Sequence, residues 1–220
     1  MIYSHKKAGQ PGPLTRIVSC SPGEWERMSS EEKTIVQTHV APSYTNHPRT
    51  GDVYPAYNKP VAVIDWLAKT DVSEDFVLII DADMIMRKPI IPKDVGARKG
   101  WAVSAFFGYM KGVNNALAMK HIPQVPPRQD SFAGPSGRRS DQIGGFTLMQ
   151  TEDLRKVAPL WLKYTEDVRF DPDVRNSCQK NEYYCIPSCL SSQILNPLCF
   201  CRLGSCQAML TPKIQVISLG

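Results

Sequence analysis

The chain has 220 residues, is 42% hydrophobic and 21% charged, and carries a formal net charge of +5. That length suits one substantial core, and that composition excludes a disordered or fibrous chain. No run approaches the roughly 20 apolar residues of a membrane-spanning helix. The residues from Met1 to Lys7 lack the apolar centre of a signal peptide. Basic residues are scattered, and short pairs such as Lys6-Lys7 and Arg138-Arg139 have no interleaved aromatics, so nucleic acid is not indicated as a partner.

In chain order, a Gly-Gln-Pro-Gly-Pro turn at residues 9–13 precedes an apolar, β-branched stretch from Leu14 to Cys20, which predicts a strand ended by Ser21-Pro22-Gly23. Thr34 to Val40 is a second, shorter strand candidate, and Pro42 to Pro55 reads as an ordered loop. Asn58-Lys59-Pro60 predicts a helix start, with Asn58 at the cap and Pro60 in the first turn, where a missing N–H costs nothing. Val61, Ile64, Leu67 and Ala68 then recur at helical spacing as far as Asp71. Phe76 to Ile80 is a continuous apolar run of strand length, as in strands covered on both faces by helices, and it predicts an α/β architecture.

Gly100 to Phe107 and Ile143 to Met149 predict two further strands. Residues 108–142 between them form a long Gly-, Pro-, Asn- and Arg-bearing excursion of the kind often used for function. From Thr151, read as a cap, a helix places Leu154, Val157, Ala158, Trp161, Leu162 and Val168 on one face, with Pro159 expected to kink it. Of seven cysteines, Cys20 stands alone. Cys178, Cys185, Cys189, Cys199, Cys201 and Cys206 crowd the C-terminal stretch without a Cys-x₂-Cys pair.

The chemistry centres on Asp81-Ala82-Asp83 at the end of the apolar run. Ligands of open α/β sheets gather outside the carboxyl ends of strands. Two carboxylates at i and i+2 there can hold a hard divalent cation through oxygen. Such a cation neutralises charge on a departing diphosphate. Two other readings compete: a pair of acids that only shapes a turn, and a phosphatase of the haloacid dehalogenase type. The phosphatase pattern requires Thr where Ile85 stands.

Longer motifs add to that pair. Lys7-Ala8-Gly9-Gln10-Pro11-Gly12-Pro13-Leu14-Thr15-Arg16, His47-Pro48-Arg49-Thr50-Gly51-Asp52, Tyr54-Pro55-Ala56-Tyr57-Asn58-Lys59-Pro60 and Leu78 to Arg87 resemble the hydroxyproline O-arabinosyltransferase-like domain. Asp141-Gln142-Ile143-Gly144-Gly145-Phe146 and Ala158 to Arg169 extend the resemblance over the first three-quarters of the chain, and within the group it is nearest the peptidyl serine α-galactosyltransferases.

The resemblance implies a GT-A-like (Rossmann-like) nucleotide-sugar-binding sheet flanked by helices. It also implies a UDP-sugar donor and a divalent metal, Mn²⁺ first among them. The implied acceptor is serine or hydroxyproline of extensin-like, hydroxyproline-rich cell-wall glycoproteins. Transfer of galactose or arabinose would retain the anomeric configuration, in the Golgi or elsewhere in the secretory pathway. By the same resemblance Asp83 binds the metal and Asp81 contacts metal or ribose, while no protein nucleophile is named.

Asn58 and Lys59 are candidates to approach the nucleotide or diphosphate, with a plain helix cap as the other role of Asn58. Asp141, before Gly144-Gly145, is a candidate at the sugar or a turn carboxylate. Arg16 and Arg87 are phosphate or surface arginines, and Tyr54 and Tyr57 are base-stacking or loop-packing residues. His39, His47 and His121 stand in no ligand spacing, and Trp66 and Trp161 are core residues.

The resemblance further implies that the domain is incomplete at both ends, lacking a first strand upstream and a late metal-binding histidine downstream. The expected division is therefore a glycosyltransferase core over residues 1–173 and a divergent, Cys-rich, poorly ordered tail over 174–220. A catalytically inactive, truncated product of such a gene is the alternative to an active transferase.

Overall fold

The computed structural model describes residues 1–106, 120–121, 143–173 and 213–219. A mixed sheet of six strands runs through it: β1 (Leu14–Ser19), β2 (Thr38–Ala41), β3 (Phe76–Asp81), β4 (Val103–Phe106), β5 (Ile143–Gln150) and β6 (Lys213–Leu219), in the spatial order β2-β1-β6-β3-β5-β4. β1 and β2 are parallel, β6 is antiparallel to both β1 and β3, and β5 is antiparallel to β3 and β4. Four strands thus point one way, and the carboxyl ends of β1, β2 and β3 share one edge.

Alternation along β3 explains the layering. Val77 and Ile79 join the side chains of the two long helices, α4 (Asn58–Lys69) and α5 (Thr151–Arg169), in a core that includes Trp66, Leu67, Met149, Leu154 and Trp161. Leu78 and Ile80 face the other way, onto Leu14, Met86, Leu148 and Ile217. That second face is closed by the short helix α1 (Ile2–Ala8) and by the loop that carries Met84, Ile90, Val95 and Ala97. Each of these apolar side chains removed from water contributes about 1.5–3 kcal/mol, so the apolar run of β3 is the most strongly fixed part of the chain.

Several local expectations need correction. The second strand lies at Thr38–Ala41, because the residues before it form α3 (Ser30–Thr34); α2 (Pro22–Arg27) follows β1 directly. Both helices start on a reciprocal capping box, Ser21 with Glu24 and Ser29 with Glu32. Asn58 does not cap α4: Tyr57 does, at the end of a 3-10 turn over Pro55–Tyr57. Thr151 is the first residue of α5 rather than its cap. Its amide donates to the Asp75 carbonyl at 2.8 Å, joining the helix to the start of β3. α5 continues through Pro159 as one element.

The largest difference is at the C-terminal end. Within the segment expected to be a poorly ordered tail, Lys213–Leu219 is β6, hydrogen-bonded between β1 and β3 in the middle of the sheet. The six C-terminal cysteines and the 108–142 excursion apart from residues 120–121, Asp141 included, lie outside the described residues. No helix among the described residues is long and apolar enough to cross a membrane.

Candidate functional site

β3 ends at Asp81, whose register partner on β6 is Ile214. The chain then turns, with the Met84 amide donating to the Asp81 carbonyl at 3.2 Å, and Asp83 is left exposed. α4 begins at the same edge. From its first turn Lys59 extends to Asp81, placing Nζ 2.9 Å from Oδ1. The ammonium is mostly enclosed, with the lysine side chain 12% exposed and that of Asp81 23%. Burial therefore pushes Lys59 down from 10.5 to about 8, against the opposing pull of the Asp81 and Asp83 carboxylates. Among the described residues this edge thus carries the Lys59–Asp81 ion pair and the exposed carboxylate of Asp83. The amino-terminal end of α4 adds its partial positive charge.

Other residues hold this arrangement. Asn58 is fully buried, and both ends of its amide are engaged: Oδ1 accepts from the Tyr44 amide at 2.5 Å, and Nδ2 donates to Thr45 Oγ1 at 2.8 Å. It pins the loop after β2 to the start of α4 rather than presenting a polar group to a ligand. Beyond the acid turn, Ser4 Oγ accepts from the Met86 amide at 3.1 Å. Gln10 reaches the same loop and makes two bonds to the Ile90 backbone, its Nε2 donating at 3.1 Å and its Oε1 accepting at 2.6 Å. Gly9, in the left-handed conformation at φ 67°, terminates α1 and delivers Gln10 to that position. These loop anchors are not evident from residue type; only the position of Gly9 after a basic run marks the end of α1.

The remaining candidates separate from the site. Arg16 is buried, with Nε donating to Thr38 Oγ1 at 3.1 Å and a second nitrogen to the Glu32 carbonyl; it ties α3 to β2. Arg87 is exposed on the loop. His39 pairs with Asp65 at 2.8 Å, and His121 with Asp171 at 2.6 Å. Cys20 is buried with its thiol pushed up by desolvation, which makes it a packing residue. Trp66 and Trp161 lie in the core, as expected. Among the described residues no group of three or more His, Cys, Asp or Glu side chains converges on one point.

Residues 3–180 match the family model described as the hydroxyproline O-arabinosyltransferase family N-terminal domain. The chain belongs to this family. It is 48% identical over 169 residues to the peptidyl serine alpha-galactosyltransferase of Chlamydomonas reinhardtii, covering 77% of this chain and 23% of that protein. The Arabidopsis thaliana protein of the same name is 41% identical over 175 residues, covering 78% of this chain and 20% of its own length. Hydroxyproline O-arabinosyltransferase 1 of Arabidopsis thaliana is 31% identical over 121 residues, covering 54% of this chain and 30% of that protein. The chain therefore spans less than a third of each of these relatives. No solved structure matches it.

Within this family domain, the motifs that carry the resemblance meet in a second cluster, apart from the acids. Arg169, in the last turn of α5, forks onto Asp52, with Nε at 2.9 Å from Oδ2 and a terminal nitrogen at 3.1 Å from Oδ1. Tyr57 donates its hydroxyl to Asp52 at 3.1 Å and its own titration is pushed up, first by burial and then by that carboxylate. The guanidinium lies 4.6 Å from the centre of the Tyr54 ring. Beside it, the buried His47 pairs with Glu166 at 2.8 Å and meets the edges or faces of Tyr44, Tyr57 and Phe170. Tyr54 and Tyr57 are thus loop-packing residues in this arrangement. The cluster fastens the 42–57 loop, and with it Asn58 and the start of α4, to α5.

Proposed function

We propose that this chain forms the donor-binding part of a peptidyl glycosyltransferase of GT-A-like design. The donor is a UDP-sugar carrying galactose or arabinose, and the acceptor is serine or hydroxyproline of extensin-like, hydroxyproline-rich glycoproteins. Transfer is metal-dependent and retains the anomeric configuration, and the reaction belongs to the secretory pathway. Family membership supports glycosylation of such proteins. The observation that carries the site is the meeting of Lys59, Asp81 and Asp83 at the carboxyl edge of β3 beside the start of α4.

The residues fit a divalent cation of the Mn²⁺ or Mg²⁺ kind. Small hard cations are commonly held by one or two carboxylates, with diphosphate oxygens and water completing the shell. Asp83 is the exposed carboxylate suited to that role, and Asp81, already charge-balanced by Lys59, serves as the second metal or ribose contact. A cation bound there supplies positive charge against the diphosphate leaving group. Lys59 adds an ammonium held beside Asp81 at this edge, and the start of α4 favours the same anion. Asn58 acts indirectly, by fixing the loop that walls the edge. Asp141 belongs to the sugar side of the same reading.

Calorimetric titration of the 220-residue chain with UDP, with and without Mn²⁺, tests the proposal. Metal-dependent binding is expected in the wild type. Asp83→Ala is expected to lose it by more than about tenfold, the effect of deleting a charged partner worth at least ~1.4 kcal/mol. A folded wild type that binds no UDP with Mn²⁺, or an Asp83→Ala protein that binds as well as wild type, would refute the assignment.

A further inference from the structure

β6 occupies an unusual position. β1 and β3 run in the same direction and make no ladder with one another; each pairs with β6 instead, over Leu14–Val18 and Phe76–Asp81 respectively. Lys213–Leu219 lies beyond residue 180, where the family match ends. The domain's own matched strands therefore form two partial sheets, β2-β1 and β3-β5-β4, and a segment from outside the match joins them.

β6 is held by main-chain ladders on both of its sides, to β1 and to β3. Its main contacts are with β1 and β3, and no helix among the described residues makes more than slight contact with it. Among its described side chains, Ile217 is fully buried in the core cluster that includes Leu14, Leu78, Ile80 and Leu148. The sequence Lys213-Ile214-Gln215-Val216-Ile217-Ser218-Leu219 carries three β-branched apolar residues, Ile214, Val216 and Ile217, which favour a strand. Recognition by main-chain hydrogen bonds plus one or two apolar anchors is how a sheet takes up a strand from elsewhere.

We propose that the gap between β1 and β3 is a strand-accepting site, that Lys213–Leu219 fills it as an exchangeable donor strand, and that the same sequence supplied on a separate peptide can take its place. One consequence bears on the acid turn. Ile214 is registered with Asp81, the last residue of β3, so the donor strand fixes the point from which Asp83 departs. The proposal does not depend on the donor-sugar reading, and its test needs no nucleotide.

The test uses the full chain with Val216→Pro. Val216 faces Thr15 on one side and Ile79 on the other, and proline there removes a ladder N–H from the middle of the strand. Hydrogen exchange in Leu14–Ser19 and Phe76–Asp81 is expected to quicken by at least about tenfold in this variant. A fluorescently labelled peptide of residues 211–220 is expected to bind the variant one to one and restore the protection. The same peptide is expected to bind wild type at least about tenfold more weakly, because the tethered strand competes for the site. A peptide that fails to bind Val216→Pro, whether the variant is folded or refolding, overturns the proposal. So does a wild type in which Lys213–Leu219 exchanges freely while β1 and β3 stay protected.

Discussion

Replacing Lys59 with methionine keeps an unbranched stem at the start of α4 and deletes the charge that meets Asp81. In the folded chain the lysine titrates at about 8 rather than 10.5, because enclosure penalises its charged form more than Asp81 and Asp83 favour it. At about 1.4 kcal/mol per pH unit, that fall costs the folded state roughly 3 kcal/mol when the lysine is charged in both states. Below pH 8 it is charged in both, and the full cost is present. Between about pH 8 and 10.5 the unfolded chain holds more protons than the folded one, so the contribution of Lys59 to stability rises with pH. Urea unfolding of wild type and Lys59→Met at pH 7, 8, 9 and 10 isolates this contribution, since the groups that lose the ammonium, Asp81 and Asp83, are carboxylates that stay ionised across that range. Wild type is expected to gain on the variant by about 1 kcal/mol per pH unit above pH 8 and by little below it. Parallel profiles across the range would show that Lys59 is neither enclosed nor shifted, and would remove the physical basis for reading it as a poised anion-binding charge.

Two further perturbations probe the supports of the site. Asp52→Asn leaves the partly buried Arg169 guanidinium with a weakened partner and is expected to cost about 1–3 kcal/mol in urea unfolding, with Arg169→Lys costing a similar amount because an ammonium cannot fork onto both oxygens. Unchanged midpoints in both would mean the pair is decorative. Asp171 is buried, and although burial opposes its ionisation, hydrogen bonds from Lys120 and His121 hold it down to about 2. Its stabilisation is therefore fully present above its ordinary value of 3.8 and lost as pH falls through about 2, so Asp171→Asn should flatten the acid limb of the stability curve between pH 4 and 2. An acid limb that coincides with that of wild type would refute this attribution.

What sequence could reveal was set by how local each signal is. The apolar run of β3, the helical spacing of α4 and α5 and the acid pair after the strand are each complete within a few residues, and each forms where expected. The two capping boxes were equally local: Ser21 and Glu24, and Ser29 and Glu32, stand at the required spacing. The first of the helices they start is hidden because Ser21-Pro22-Gly23 also reads as a turn, and proline at the first helical position fits both. β6 shows the opposite case. Its composition favours a strand, but nothing in seven residues specifies that the partners are β1 and β3, some 200 and 140 positions earlier.

The motif residues show how contacts between distant parts of the chain set what each residue does. Asp52 and Arg169 are 117 positions apart, and His47 and Glu166 are 119 apart, yet each pair is in direct contact. Read singly, Tyr54 and Tyr57 leave base stacking and loop packing open and His47 stands in no ligand spacing; in space these residues and Asp52 pack and bond within one cluster. Asn58 is the sharpest instance, since its neighbour Lys59 does face the acids. One residue apart on a helix is about 100° of rotation. That rotation sends the Asn58 amide to Tyr44 and Thr45 and the Lys59 ammonium to Asp81. The cluster that buries the first residue is therefore what aims the second. Loosening the Asp52–Arg169 fork should accordingly disturb the Lys59–Asp81 pair without touching either residue.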